Sequence, residues 1–352
     1  MSASLATVAS IATAPAQYPI DLVQSQAFAR RCFATMPALE RLLPAFEHTG
    51  IDERQIVRPL EWYAQERGFA EKNALWEESA FALACVAARR ALAGFPAGRH
   101  ELGAVVFVSS TGIATPSLDA RMVAALDLPR TIARVPLWGL GCAGGAAGLA
   151  RAAALCRGLQ RPVLVVAVEI CSATFMAGDR SRANLIASAL FGDGAAAAVL
   201  VPGGSGPTIL GGHSQLLDGT EDVMGWDVRD DGLAVRFLRS IPTIVREVIP
   251  GFVDQSCAQV GLTPASIVHW ALHPGGAKVL EAYAAALGLP AARLAPAHAV
   301  LREHGNMSSP TALFVLERIL RDTPAPERGG HGLVVGLGPG FSAEAVVFAW
   351  SR

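Results

Sequence analysis

Residues Leu137–Leu155 read LWGLGCAGGAAGLARAAAL. The run holds Gly139-x-Gly141-x-x-Gly144, the spacing of a dinucleotide-binding turn, with Cys142 inside it. Two readings lead to two folds. In the first, the turn cradles a pyrophosphate, which requires a strand, the glycine turn, a helix and a second strand ending in an acid. Glu169, at the end of PVLVVAVEI (162–170), supplies that acid. Against it, the motif lies deep in the chain, TIARVPLW (131–138) carries Pro136 where a central strand would run, and nothing downstream suggests hydride chemistry. In the second, the glycines bend the chain so that Cys142 projects from a tight turn at a helix start. The helix dipole and free N–H groups there favour a thiolate, and a nearby imidazole favours it further. Cys142 then becomes an acyl acceptor.

Working outward, apolar β-branched runs alternate with Ala-rich helical stretches, an α/β pattern with buried sheets. LATVASIATA reads as a first strand, AVVFVSS (104–110), PVLVVAVEI, IVHWAL (267–272) and HGLVVGLG (331–338) as further ones, with helices from about Ser117 and Ala277. The order repeats. VVFVSSTGIATPSLDARMVAALDLP is a strand, a turn and a helix ending in AALDLP at 124–129, and IVHWALHPGGAKVLEAYAAALGLP does the same, ending in AALGLP at 285–290. Each is followed by a linker and a small-residue turn opening a helix, GLGCAGGAAGLARAAAL in one copy and HGNMSSPTALFVLERIL in the other, and then by a strand. The chain therefore reads as two halves, 1–205 carrying Cys142 and 206–352 carrying His273 and Asn306, which meet near VPGGSGP (201–207). A pseudo-twofold would turn both helix starts toward one site.

Composition narrows the function classes. The 352 residues are 52% hydrophobic and 17% charged, with mean hydropathy +0.37 and net charge −1. Such a chain builds a large core and carries no basic footprint for nucleic acid and no polybasic membrane patch. No run approaches the roughly 18 apolar residues of a membrane span. The first basic residue is Arg30, so no charged signal n-region is present. Six scattered cysteines without a CxxC pair argue against a zinc site and a disulfide framework and fit a reducing cytoplasm.

His273 ends the strand before Pro and two Gly, where a core histidine is the plain alternative; Asn306 could simply cap the helix that follows. Taken with Cys142, they form a thiol nucleophile, a base and two donors for an enolate or oxyanion.

These residues sit in GLGCAGG, LFGDGAAA, HPGG, GNMSS and GLGPG, whose order and spacing resemble the chalcone and stilbene synthase family, the type III polyketide synthases, from about Ala6 to Trp350. The resemblance implies a thiolase-like fold with duplicated α-β-α-β-α layered halves. It implies that Cys142, His273 and Asn306 are catalytic, that Phe191 gates the acyl cavity, and that Ser308 and the Gly336–Gly340 loop, with Gly338 and Pro339, line it. It further implies a homodimer, acyl-CoA and malonyl-CoA as substrates, and no metal or redox cofactor. Arg30 and Arg31 are candidates for the CoA phosphates.

Departures from the plant pattern bear on the starter. Val235 in GLAVRFL stands where plant members carry a second gatekeeping Phe, Cys171 in EICSATF replaces a threonine, and Thr174 matches the next cavity threonine. Thr115 in STGIATP stands where plant enzymes insert a methionine across the dimer. These segments and MGWDV resemble bacterial members making alkylpyrones or alkylresorcinols, which implies a wide aliphatic cavity and a fatty acyl starter. The alternative is a condensing enzyme like ketoacyl carrier-protein synthase III, with the same fold and a Cys/His/Asn set.

Overall fold

The computed structural model of the chain describes residues 4–95, 97–237, 241–324 and 328–350. Its strands are β1 (Ala6–Pro15), β2 (Tyr18–Asp21), β3 (Glu53–Ile56), β4 (Ala104–Val108), β5 (Ala133–Leu137), β6 (Val163–Ile170), β7 (Asp193–Pro202), β8 (Pro207–Leu216), β9 (Met224–Arg229), β10 (Gly232–Phe237), β11 (Ile267–Leu272), β12 (Gly330–Gly338) and β13 (Ser342–Trp350). Its helices are α1 (Leu22–Cys32), α2 (Leu39–Leu42), α3 (Pro44–Glu47), α4 (Leu60–Tyr63), α5 (Phe69–Ala93), α6 (Leu118–Ala125), α7 (Gly144–Leu159), α8 (Arg182–Leu190), α9 (Ile241–Ala258), α10 (Ala277–Leu287), α11 (Ala291–His304) and α12 (Thr311–Asp322). None of them is long and apolar enough to cross a membrane.

Nine strands run in the order β11-β12-β13-β8-β1-β7-β6-β4-β5. The row is a repeated pattern. Strands β1 and β4 to β7 lie as β5-β4-β6-β7-β1, and strands β8 and β11 to β13 lie as β11-β12-β13-β8, the same order short of one strand. Where β5 leads to Cys142 in the first set, α11 leads to Asn306 in the second. Among the described residues the pair Thr7↔Thr208 is the one ladder contact between the two sets of strands, so they can fold over one another at that seam.

Burial explains the layers. In β6, Val163, Val165 and Ala167 enter one core while Leu164, Val166, Val168 and Ile170 enter another, because successive side chains leave a strand on opposite faces. One core lies under α5 and α6; the other surrounds α7 and α12 and reaches α9 and α10. Helix α7 packs against β4 and β6 on one side and β12 and β13 on the other. Its buried face is Gly144, Gly145, Ala146, Ala147, Gly148, Leu149, Ala152, Ala153 and Cys156, small enough to sit between two sheets. The result is the α-β-α-β-α layering.

The dinucleotide reading fails here. Strand β5 does precede the turn, and Pro136 is tolerated because β5 is the outermost strand, paired with β4 alone. The amides of Gly139 and Gly141, which a pyrophosphate would need, donate instead to Ser110 Oγ at 3.1 and 3.2 Å. Glu169 is wholly buried and engaged by serine and threonine donors, out of reach of a ribose.

Candidate active site

Cys142 lies in a single 3-10 turn, Gly141–Ala143, that runs directly into α7. Beneath it passes the end of β12. A Cβ on Gly336 would fall 2.9 Å from the Cys142 carbonyl oxygen, and one on Gly338 would fall 2.2 Å from that of Leu140, so the close approach demands glycine at both positions. His273 follows β11 and extends its ladder, donating its N–H to Val335 O at 2.9 Å. Asn306 is fixed by its backbone, with N–H to Leu190 O at 2.9 Å and its carbonyl accepting from Gly192 N at 3.0 Å. Its side chain does not cap α12, which begins at Thr311 behind Pro310. Oδ1 instead accepts Ser308 N–H at 2.8 Å, a local turn that holds the amide still.

Cys142, His273 and Asn306 line one cavity of ≈ 420 Å³, walled largely by apolar side chains such as Phe46, Leu185, Ile186, Leu190, Met224, Phe237 and Leu337. Cys142 is half-buried, lining the cavity, whereas the other five cysteines are buried. The Cys142 thiol contacts Ser308 Oγ at 3.5 Å and Asn306 Oδ1 at 3.9 Å. Both ring nitrogens of His273 lack a hydrogen-bond partner among the described residues, and Asn306 Nδ2 makes only a long contact to Gly275 O at 3.4 Å. The base and the amide therefore retain capacity for a substrate.

Desolvation works against one expectation. Burial pushes the Cys142 thiol up to about 11, with the Ser308 hydrogen bond opposing it and the Glu169 charge adding to it. Burial alone brings His273 down to about 4. Both shifts run toward the uncharged forms, against the thiolate that a helix start favours. Desolvation of a charge in an apolar pocket outweighs the dipole of one turn.

The expected cavity residues divide. Phe191, Val235, Cys171 and Thr174 line a separate small cavity of ≈ 40 Å³. An aromatic wall stands between the two spaces, with the Phe191 ring 5.6 Å from Phe237 and 6.1 Å from Trp226. Phe237, not Val235, faces the nucleophile's cavity. Gly338 and Pro339 line neither cavity and support the turn from below, Pro339 Cδ lying against Gly141. Thr115 is exposed on the loop after β4. Arg30 pairs with Glu40 at 3.2 Å and Arg31 rests over Phe28, and neither lines the cavity. Among the described residues its cations are Arg182 and Lys278, from α8 and α10. Sequence spacing gave no sign of them, since only the fold brings those two helices to one opening.

Comparison with known proteins places this geometry in context. The family model "Chalcone and stilbene synthases, N-terminal domain" matches residues 63–207, and its C-terminal counterpart matches 209–350. A Bacillus subtilis (strain 168) protein named as a chalcone synthase is 39% identical, with 99% of this chain and 100% of that protein covered. A 1,3,6,8-tetrahydroxynaphthalene synthase of Streptomyces peucetius is 38% identical over 89% of this chain and 85% of its own length. Among solved structures, the 1,3,6,8-tetrahydroxynaphthalene synthase of Streptomyces coelicolor A3(2), a bacterial type III polyketide synthase, superposes with a TM-score of 0.94 at 28% identity, covering 98% of this chain and 99% of that one.

Proposed function

The chain belongs to the chalcone and stilbene synthase family, the CoA-dependent acyltransferases called type III polyketide synthases, and from that premise we propose that it loads a fatty acyl-CoA starter on Cys142, extends it with malonyl-CoA and cyclises the product to an alkylpyrone or alkylresorcinol. The observation that carries the catalytic roles is the shared cavity: thiol, imidazole and amide open onto one largely apolar space.

His273 takes the Cys142 proton as sulfur attacks the starter thioester, and CoA leaves as the thiol. Malonyl-CoA then loses CO₂ beside the acyl-cysteine. The developing enolate oxygen needs donors in a dry site, and His273 with the Asn306 amide supplies them. The enolate carbon attacks the acyl carbonyl, releasing the Cys142 sulfur and leaving the lengthened chain on CoA for another cycle. CoA thioesters are the substrates, and the scheme calls for no metal or redox cofactor. Arg182 and Lys278, which line the cavity, provide positive charge for the CoA phosphates.

A fatty starter draws support from the apolar walls and from the second small space behind Phe191. We also read the active form as a homodimer. The outer edge of β5 is unpaired in the described chain, and beside it Trp138 is 54% exposed and Ile113 46% exposed, a profile of a covered surface. The test is mass spectrometry of intact protein and of products, with acyl-CoAs from short to long and either malonyl-CoA or malonyl-carrier protein. Acyl adduct on wild type but not on Cys142→Ala, with pyrone or resorcinol products from long starters and malonyl-CoA, is the expected result. Turnover only with malonyl-carrier protein would favour the ketoacyl synthase alternative.

A further inference from the structure

Glu169, the acid that the dinucleotide reading left over, is wholly buried at the end of β6. Its Oε2 accepts from Ser110 N–H at 2.9 Å, Thr111 Oγ1 at 2.7 Å and Ser109 Oγ at 3.4 Å. Its Oε1 accepts from Ser309 Oγ at 2.7 Å. The hydroxyls are committed to this direction. Thr111 Oγ1 already accepts from Ile170 N–H at 3.0 Å, and Ser109 Oγ from Trp76 Nε1 at 3.1 Å, so their protons point to the carboxylate. None of the four donors carries a charge, and burial pushes the acid up to about 7 against them. A buried carboxyl without a cation is costly where an apolar residue would fill the space.

Each arm of this cluster ends at a catalytic turn. Ser110, whose N–H binds Glu169, accepts with its hydroxyl the Gly139 and Gly141 amides that shape the Cys142 turn. Ser309 comes from the other set of strands and helices and follows Ser308, whose hydroxyl touches the Cys142 sulfur. The Ser309 main chain also presses on α7, since a Cβ on Gly145 would fall 2.2 Å from its carbonyl oxygen.

We propose that Glu169 is a positioning residue, tying the turn that carries Cys142 to the turn that carries Asn306 and so setting the distance between acyl-cysteine and enolate. The inference rests on the roles given above to Cys142 and Asn306. Its consequence is specific to coupling. If the two turns slip, malonyl-CoA still loses CO₂ at the amide, but the enolate is protonated and leaves as acetyl-CoA before it reaches the thioester. A lost stability contribution would lower loading, decarboxylation and condensation together.

The experiment measures acetyl-CoA released per carbon–carbon bond formed, alongside Cys142 acylation and thermal unfolding, for wild type, Glu169→Gln and Ser309→Ala. Ser309→Ala leaves the carboxyl its three other donors and so serves if the glutamine variant unfolds. Both variants should keep acylating Cys142 while the uncoupling ratio rises by about tenfold or more, the scale on which sub-ångström to ångström misplacement acts. A ratio equal to wild type in folded Ser309→Ala, or loss of loading and condensation in the same proportion, overturns the proposal. Wild type that acylates no cysteine 142 would instead overturn the functional reading beneath it.

Discussion

Cys142 and His273 illustrate how a site can be legible as residue types and illegible as charge. Glycines on both sides marked Cys142 as a functional turn, and HPGG and GNMSS marked the other two. The protonation states depend on how much water the assembled cavity excludes, which no local spacing reports. Because burial holds the thiol near about 11, its thiolate fraction below that value falls about tenfold per pH unit. Reaction near neutrality therefore draws on His273, whose imidazole burial keeps uncharged, with one ring nitrogen open to accept that proton. Iodoacetamide at pH 7 should label Cys142 ahead of the five buried cysteines and at least about tenfold faster in wild type than in His273→Ala. In the variant the rate should climb with pH into the alkaline range. Equal rates in the two proteins would remove His273 as the base.

The hairpin formed by β9 and β10 shows the limit of period-two reasoning. Val235 and Phe237 are two residues apart on one strand and share a face, so alternation cannot say which of them meets the acyl chain. Phe191, delivered by the end of α8, decides it: its ring packs on Phe237 and leaves Val235 in the smaller space. The widening expected from Val in place of Phe is thus offset by Phe237. Removing that ring should join the two cavities, each further buried methylene being worth about 0.8 kcal/mol at most. Phe237→Ala should lengthen the longest starter found on Cys142 by mass spectrometry, and adding Val235→Phe, which fills the smaller space, should reverse that gain while leaving the wild-type length profile unchanged on its own. An unchanged length profile in Phe237→Ala would show that the wall does not bound the pocket.

At the scale of the whole molecule, the open edge of β5 and the exposed Trp138 and Ile113 beside it determine the expected assembly. Light scattering at micromolar concentration should return twice the mass of the chain, 36.7 kDa. Trp138→Lys, placing a charge on that apolar patch, should shift the mass toward one chain. A wild-type monomer would remove the interface, and a Trp138→Lys dimer of unchanged stability would move it elsewhere on the surface.

The amino-acid sequence by itself determined the α/β class, the repeated order of elements, the position of buried strands such as β4, β6, β11 and β12 though not of β7 or β13, and the family, because these follow from hydrophobic period, from turn residues and from motifs that are local in the chain. It marked Cys142, His273 and Asn306 as a set, since each stands in a short glycine-bearing signature. It left β5 unassigned: Pro136 spoke only against a central strand, and being outermost is a property of the sheet. Only the tertiary structure decided that burial raises the Cys142 thiol, that Phe237 and not Val235 closes the cavity, that Arg182 and Lys278 reach its walls, and that Glu169 joins the two turns. The physical reason is common to all four: each depends on which groups far apart in sequence exclude water from one another, and that is settled when the two sets of layers close.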